Sequence, residues 1–338
     1  MTDAGWSLET RVVELALRER FTIARQSWDS ATSVFAIVRH HGWTGVGEAQ
    51  PADRWGESTT SVVAQLADVD LGRLAGPFDL EGVGSLLPAG SARCALDIAM
   101  HDLVGQRAGL SVSELIGAGG RSLPPTSVTA PIAELDTIVD RARSLRDHPI
   151  LKMKVGFDGD VDAVRAVREV FPGAIRIDAN EGWSRTDALE RLPALAEHGI
   201  ELCEQPVPAG NHADLAAVTA ASPIPVFADE DVCTAEDVAR LKGKVHGVNL
   251  KLRKTGGIRE LVCAIAVARA CGMKVMLGCD LESGVAITAA AHVAALADHV
   301  DLDGPLLLAD DPFPGVAYER GVMTLPSGPG LGLAARPG

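Results

Sequence analysis

Asp178, Glu204 and Asp229 lie 26 and 25 residues apart, and each ends a short apolar run: AIRID, IELCE and PVFAD. Lys152 and Lys154 sit in ILKMKV ahead of them, and Lys251 closes GVNLK behind them at a similar interval. Acids in this pattern have two uses. They can cap the helices that follow, since a carboxylate satisfies free N–H groups at a helix start. If the runs are neighbouring strands, the acids instead converge as oxygen ligands for a hard cation. Three on successive runs, with lysines on both sides, favour the cation site. A donor set without histidine suits Mg²⁺, Mn²⁺ or Ca²⁺ better than zinc, and lysine bases alongside favour Mg²⁺.

The interval is that of a βα unit, and consecutive parallel units set their strand ends side by side on one rim. PTSVTA, ILKMKV, AIRIDA, IELCEQ, PVFADE, GVNLK and KVMLG read as strands separated by helical patterns, with a short last strand near VDLDG. The fold class expected is α/β, a TIM-type (β/α)7β barrel over residues 123–321. Upstream, residues 1–50 alternate as strands, with HHGW and TGVG as turn chemistry, and residues 57–109 carry helical spacing that stops at Gly109. Together with the Gly- and Pro-rich hinge IGAGGRSLPPT they make an α+β capping domain over residues 1–122. The tail, residues 322–338, lacks periodicity and is expected to pack back on that domain or to fray.

Lys152 and Lys154 are two apart on a strand, so both face the barrel interior, where an unpaired lysine is costly. Lys251 comes four strands later, across the mouth. One reading is a buried set of ion pairs with the acids. The other is catalysis: a lysine serves as a base near neutral pH when burial or nearby cations lower its pKa. Two lysines on opposite faces of a carbon suit proton abstraction next to a carboxylate, followed by protonation from the other face. A metal on the carboxylate oxygens would sit where charge develops.

LKMKVG, RIDANEGW, CEQPV, FADEDV and VNLKLRKTGGI, in that order, resemble the barrel signatures of the enolase superfamily, muconate-lactonizing subgroup. SARCALDIAMHDLVGQRAG with LIGAGG is similar to the end of its capping domain, and TGVGEAQP to that domain's sheet. The resemblance implies Mg²⁺ on Asp178, Glu204 and Asp229, acid/base catalysis by Lys154 and Lys251, and Lys152 as their electrostatic neighbour. It casts Asn180 and Glu230 as partners of the metal ligands.

Two features resemble dipeptide epimerases in particular. Asp301 and Asp303, two apart in HVDLDG, match the pair that holds a substrate's α-ammonium, although a polar turn would explain them too. FTIARQSW with ADRWGES is similar to the mobile loops of L-Ala-D/L-Glu epimerases. There Arg25 would meet a substrate side-chain carboxylate, and Trp28 and Trp55 belong either to the lid or to the core. Thr126, Cys279, Asp280 and Leu281 are placed with the substrate contacts. Asp280 departs from the resembling epimerases, which usually carry an apolar residue there. It would either favour a basic or polar N-terminal residue or pair with a neighbouring Lys or Arg.

The expectation is therefore an isomerase, a Mg²⁺-dependent dipeptide epimerase acting on an L-Ala-Glu-like, murein-derived peptide. The alternatives are an N-acylamino acid racemase, an o-succinylbenzoate synthase, a muconate cycloisomerase, a dipeptide epimerase for another residue pair, or a non-catalytic metal- or peptide-binding barrel. A formal charge of −14 argues against nucleic acid or an anionic membrane as partner. The N-terminus shows no signal pattern and no apolar stretch reaches the ~20 residues of a membrane span, so a cytoplasmic protein is expected. Six cysteines without a CxxC pair read as buried thiols rather than disulfides or zinc ligands. None of the nine histidines falls near the acids on this reading, and none is given a role. A homo-oligomer is expected by resemblance.

Overall fold

The structure, a computed structural model, describes residues 5–334. Strands β1 (Trp6–Thr22), β2 (Ser27–His40) and β3 (Trp43–Ala49) form an antiparallel sheet. The two-residue β2–β3 turn uses His41 and Gly42, both at positive φ (45° and 85°), as a tight hairpin of this twist requires. TGVG is not a turn. It lies inside β3, where Gly45 and Gly47 face the helix Ser91–Ala108 so closely that a Cβ would overlap the carbonyl oxygens of Ala99 and Ala95. That helix ends at Gly109 in the left-handed conformation, where the sequence placed its stop.

Eight parallel strands follow: β4 (Val128–Ala130), β5 (Ile150–Lys154), β6 (Ala174–Asp178), β7 (Ile200–Glu204), β8 (Val226–Ala228), β9 (Gly247–Leu250), β10 (Lys274–Gly278) and β11 (His299–Asp301). They pair in chain order, and a bridge between Thr126 and Val300, with Ser127 N–H donating to Val300 O at 3.1 Å, brings the two edges together. The expected TIM-type barrel is thus present with its antiparallel cap. Buried Val, Ile and Leu fill the strands, and helices such as Asp160–Val170 turn Val164 and Val167 onto them.

The cap is fastened to the barrel by buried acids. Glu48 of β3 accepts from Ser283 N–H (2.9 Å), Ser283 Oγ (2.6 Å) and Ala286 N–H (3.0 Å), at the start of the helix Gly284–Val293. Asp97 accepts from Ile258 N–H at 2.6 Å, at the start of the helix Ile258–Ala270. Near the C-terminus, Gly330 exchanges backbone hydrogen bonds with Leu110 and Val112, and Leu331 N–H donates to Asp102 at 2.8 Å. Residues 335–338 of the tail lie outside the described residues.

All six cysteines are free; Cys94 and Cys203 are buried, but Cys263 is exposed on the outer face of its helix, against the expectation of a buried thiol. Among the described residues no helix is long and apolar enough to cross a membrane.

Candidate active site

The capping alternative for the three acids fails on geometry. The helix after β6 is capped by Ser184, the helix after β7 by Asn211 and the helix after β8 by Thr234. Asp178, Glu204 and Asp229 are instead buried at the C-terminal rim of their strands. Lys152 Nζ lies 2.7 Å from Glu204, 3.2 Å from Asp178 and 2.7 Å from Asp301. Lys154 Nζ donates to Asp178 at 2.6 Å. On the other side of the mouth, Lys251 Nζ is 3.1 Å from Asp229 and 3.3 Å from Asp280.

Backbone strain gathers at the same rim. Asn180, Glu181 and Gln205 hold φ of 43°, 68° and 34°, and such residues persist only where their surroundings fix them. Gln205 Oε1 accepts from Asp229 N–H at 2.9 Å, which ties the end of β7 to the end of β8. Asn180 N–H donates to Asp178 at 2.9 Å and its amide to Glu230 at 3.2 Å, which links Glu230 to the acid cluster through Asn180.

Electrostatics divide the carboxylates. Burial pushes Asp178 up, but Lys154 and Lys152 outweigh it and hold it at about 2. Burial also opposes ionisation of Asp229, and Lys251 with Lys254 keep it well below the usual range. Glu204 goes the other way: burial and then repulsion from Asp178 raise it to about 7. The lysines answer in kind. Burial would lower Lys152 and Lys251, as a base requires, yet the surrounding carboxylates win and lift both well above their ordinary value.

Among the described residues no three His, Cys, Asp or Glu side chains form a ready-made metal arrangement; ammonium groups stand beside the three carboxylates. The donor chemistry nonetheless fits a hard divalent cation. The set is all oxygen, and Glu204 Oε2, Asn180 Oδ1 and Glu230 Oε2 are buried without a hydrogen-bond partner, Glu204 Oε2 lying near Lys152 but outside hydrogen-bonding geometry. A cation on these carboxylates would also weaken the field that keeps Lys152 and Lys251 protonated.

The rim opens into a cavity of about 260 Å³, a size for a small ligand rather than a polymer. Lys152, Lys154, Lys251, Asp301 and Asp303 line it, with Cys279, Asp280 and Leu281 on the β10 side. Asp303 lies beyond the end of β11 rather than on the strand, and its carboxylate accepts from Thr129 N–H at 2.7 Å. Burial and Asp301 raise Asp303 to about 6. Trp28 and Trp55 line the cavity too: Trp55 comes from the short segment Asp53–Trp55, whereas Trp28, on β2, also packs against the apolar cluster of Leu15, Leu17 and Leu308.

Both family models fit this architecture. An enolase C-terminal domain-like model matches residues 137–337, and a mandelate racemase/muconate lactonizing enzyme N-terminal domain model matches residues 7–117. The chain belongs to the enolase superfamily. The chain is an isomerase, as relatives that it matches over most of its length are epimerases. An L-Ala-D/L-Glu epimerase of Bacteroides thetaiotaomicron is 39% identical, over 95% of this chain and 85% of its own length. An L-Ala-D/L-amino acid epimerase of Pedosphaera parvula is also 39% identical, over 96% of this chain and 97% of its own. The structure of a dipeptide epimerase from Enterococcus faecalis, complexed with Mg and the dipeptide L-Leu-L-Tyr, superposes with a TM-score of 0.91 at 32% identity, covering 97% and 99% of the two chains.

Thr126 needs correction as a substrate contact of this enolase-superfamily chain. It is fully buried at the barrel seam, its hydroxyl accepting from Leu302 N–H at 2.7 Å and donating to Ser127 O at 3.0 Å. The residue of β4 that reaches the cavity is Thr129. Arg25 is at the rim, but its guanidinium is engaged by Glu181 and by Glu230 (2.9 Å), and Arg54 of the second loop reaches Glu181 at 2.7 Å. Three residues escaped the sequence reading. Lys254 donates to Asp229 at 2.6 Å, Asn249 to Glu204 at 2.6 Å, and Arg253 to Asp280 at 2.5 Å. Asn249 had a signal, since it precedes Lys251 by two on an inward-facing strand; Lys254 and Arg253 follow on a short helix that periodicity does not reveal.

Proposed function

We propose that this protein is a Mg²⁺-dependent dipeptide epimerase that inverts the α-carbon of the C-terminal residue of an L-Ala-Glu-like dipeptide. The observation that carries the reading is the placement of Lys154, on β5, and Lys251, just past β9, four strands apart around one cavity that also holds Asp301 and Asp303. One lysine, as a neutral amine, takes the α-proton, and the other, as an ammonium, returns a proton to the opposite face. Asp303 and Asp301 would hold the substrate's α-ammonium, which fixes the α-carbon between the two amines. Asp178, Glu204 and Asp229 would hold Mg²⁺, which supplies positive charge to the substrate carboxylate as the α-proton leaves. Lys152, locked among three carboxylates, contributes charge rather than proton transfer. The loop at Arg25, with Trp28 beside it on β2, and the segment Asp53–Trp55 would exclude water from the site. Cytoplasmic, murein-derived dipeptides would be the source of substrate.

A second reading keeps the chemistry and widens the substrate. Arg25 is already satisfied by Glu181 and Glu230, so recognition of a substrate glutamate is not built in, and C-terminal residues other than Glu would be accepted. A dipeptide library incubated in D₂O and read by mass spectrometry decides between the two. In the same assay Lys154→Ala and Lys251→Ala should each lose ~10²–10⁴-fold of exchange from one isomer while the other isomer still exchanges. Normal exchange of both isomers by both variants refutes the two-lysine assignment.

A further inference from the structure

The Asp280–Arg253 pair occupies a wall of the cavity, and neither residue has a task in the chemistry above. Arg253 is buried, its Nε donating to Asp280 Oδ2 at 2.5 Å while a second nitrogen lies 3.9 Å from Glu57 of the cap. The other Asp280 oxygen lies 3.3 Å from Lys251 Nζ. The carboxylate is thus clamped on one side by a guanidinium and presented on the other to an ammonium.

Lys251 needs such a support. Its backbone is fixed between β9 and the short helix Leu252–Thr255, but its Nζ ends a flexible four-carbon stem. Its other carboxylate neighbour, Asp229, also takes two hydrogen bonds from Lys254, at 2.6 Å to the side chain and 2.6 Å to the backbone oxygen. Asp280 has, among the described residues, no such competing lysine; its remaining side-chain partner is Arg253 itself. Among the described residues Lys154, the amine of the opposite face, pairs with one carboxylate, Asp178. The two faces are therefore supported differently.

We propose that Asp280, held by Arg253, is a positioning residue that aims Lys251 at the substrate α-carbon, rather than a contact for the substrate's N-terminal side chain. The inference rests on the two-lysine reading and deepens it. An acid already facing two cations presents no free charge to a basic substrate side chain, whereas a fixed carboxylate beside a flexible amine restricts where that amine can point. Misplacing a reacting group by an ångström costs on the order of 10²-fold in rate.

Deuterium exchange at the α-carbon of L-Ala-L-Glu and L-Ala-D-Glu, measured separately for the Mg²⁺-loaded enzyme, tests it. Asp280→Asn should slow exchange by about 10²-fold for the isomer that Lys251→Ala cannot exchange, through kcat rather than KM, and leave the other isomer within about threefold. Because that change strands a buried guanidinium, the paired variant Asp280→Leu with Arg253→Met is made alongside; it removes both charges, and the one-sided loss should persist. Equal slowing of both isomers, recovery in the paired variant, or a KM shift confined to basic N-terminal residues overturns the positioning role. If the lysine variants themselves lose both isomers equally, the two-lysine reading falls and the inference with it, an outcome visible in those controls alone.

Discussion

Replacing Asp303 by Asn separates what the site needs for binding from what the fold tolerates. The Asp303 carboxyl is 4% exposed and accepts from Thr129 N–H at 2.7 Å, a bond that the Asn carbonyl oxygen can keep. Its pKa stands at about 6 against an ordinary 3.8, chiefly because of burial and then Asp301. Below pH 3.8 the group is protonated in both folded and unfolded chains. Between 3.8 and about 6 the unfolded chain ionises while the folded one keeps its proton, so stability falls as pH rises, and the loss is complete above about 6. Two pH units correspond to about 3 kcal/mol, an order-of-magnitude figure for a site with charged neighbours. The Asn variant, which cannot ionise, should therefore gain on the parent by about 3 kcal/mol between pH 4 and pH 8, read from urea unfolding of both proteins across that range. The same variant should lose a charged acceptor for the substrate ammonium, worth about 1.5–3 kcal/mol, and so raise KM for free-amine dipeptides by roughly 10- to 200-fold. A stability difference that does not change with pH, or a KM unchanged for dipeptides, would show that Asp303 is not a strained ammonium-binding carboxylate.

Two further substitutions probe the scaffold. Thr126→Val removes the hydroxyl that accepts from Leu302 N–H; it should cost about 1–3 kcal/mol in urea unfolding and leave KM for dipeptides unchanged, whereas a raised KM would restore Thr126 to the cavity. Gly47→Ala forces a methyl group into the Ala95 carbonyl; it should destabilise by about 1–3 kcal/mol or more, and a neutral effect on thermal melting would mean that the sheet and its helix are not in such close contact.

Much of this architecture is readable in the order of residues, because a parallel barrel repeats one local pattern and its functional groups sit at one phase of that pattern. The acids at the ends of β6, β7 and β8 share a phase, so their convergence follows from spacing alone. Other features depend on contacts that spacing does not encode. Glycine serves turns and close approaches alike, so TGVG reads as a turn until the helix over Gly45 and Gly47 is seen. In PTSVTA the strand is only three residues long, and nothing local says which threonine reaches the rim; the seam hydrogen bond of Thr126 decides it. Asp280 is legible as a partner for a neighbouring Lys or Arg, but that Arg253, 27 residues away, is the one it meets follows from the pairing of β9 with β10 and the short helix after β9. Arg25 is legible as a loop residue at the mouth, but its engagement by Glu181 and Glu230 is a property of three segments brought together.

The acids that fasten the cap have a consequence for how such an enzyme diversifies. Glu48 and Asp97 each complete the first turn of a barrel helix from outside the barrel, so the barrel does not close these two helix starts alone. Rocking the cap as a whole would uncover two buried carboxylates and two helix starts at once. On the proposed function, opening for substrate would fall to the short hairpin tip at Arg25 and the segment around Trp55, which line the cavity, and new specificities would be written in those few residues and in the barrel rim.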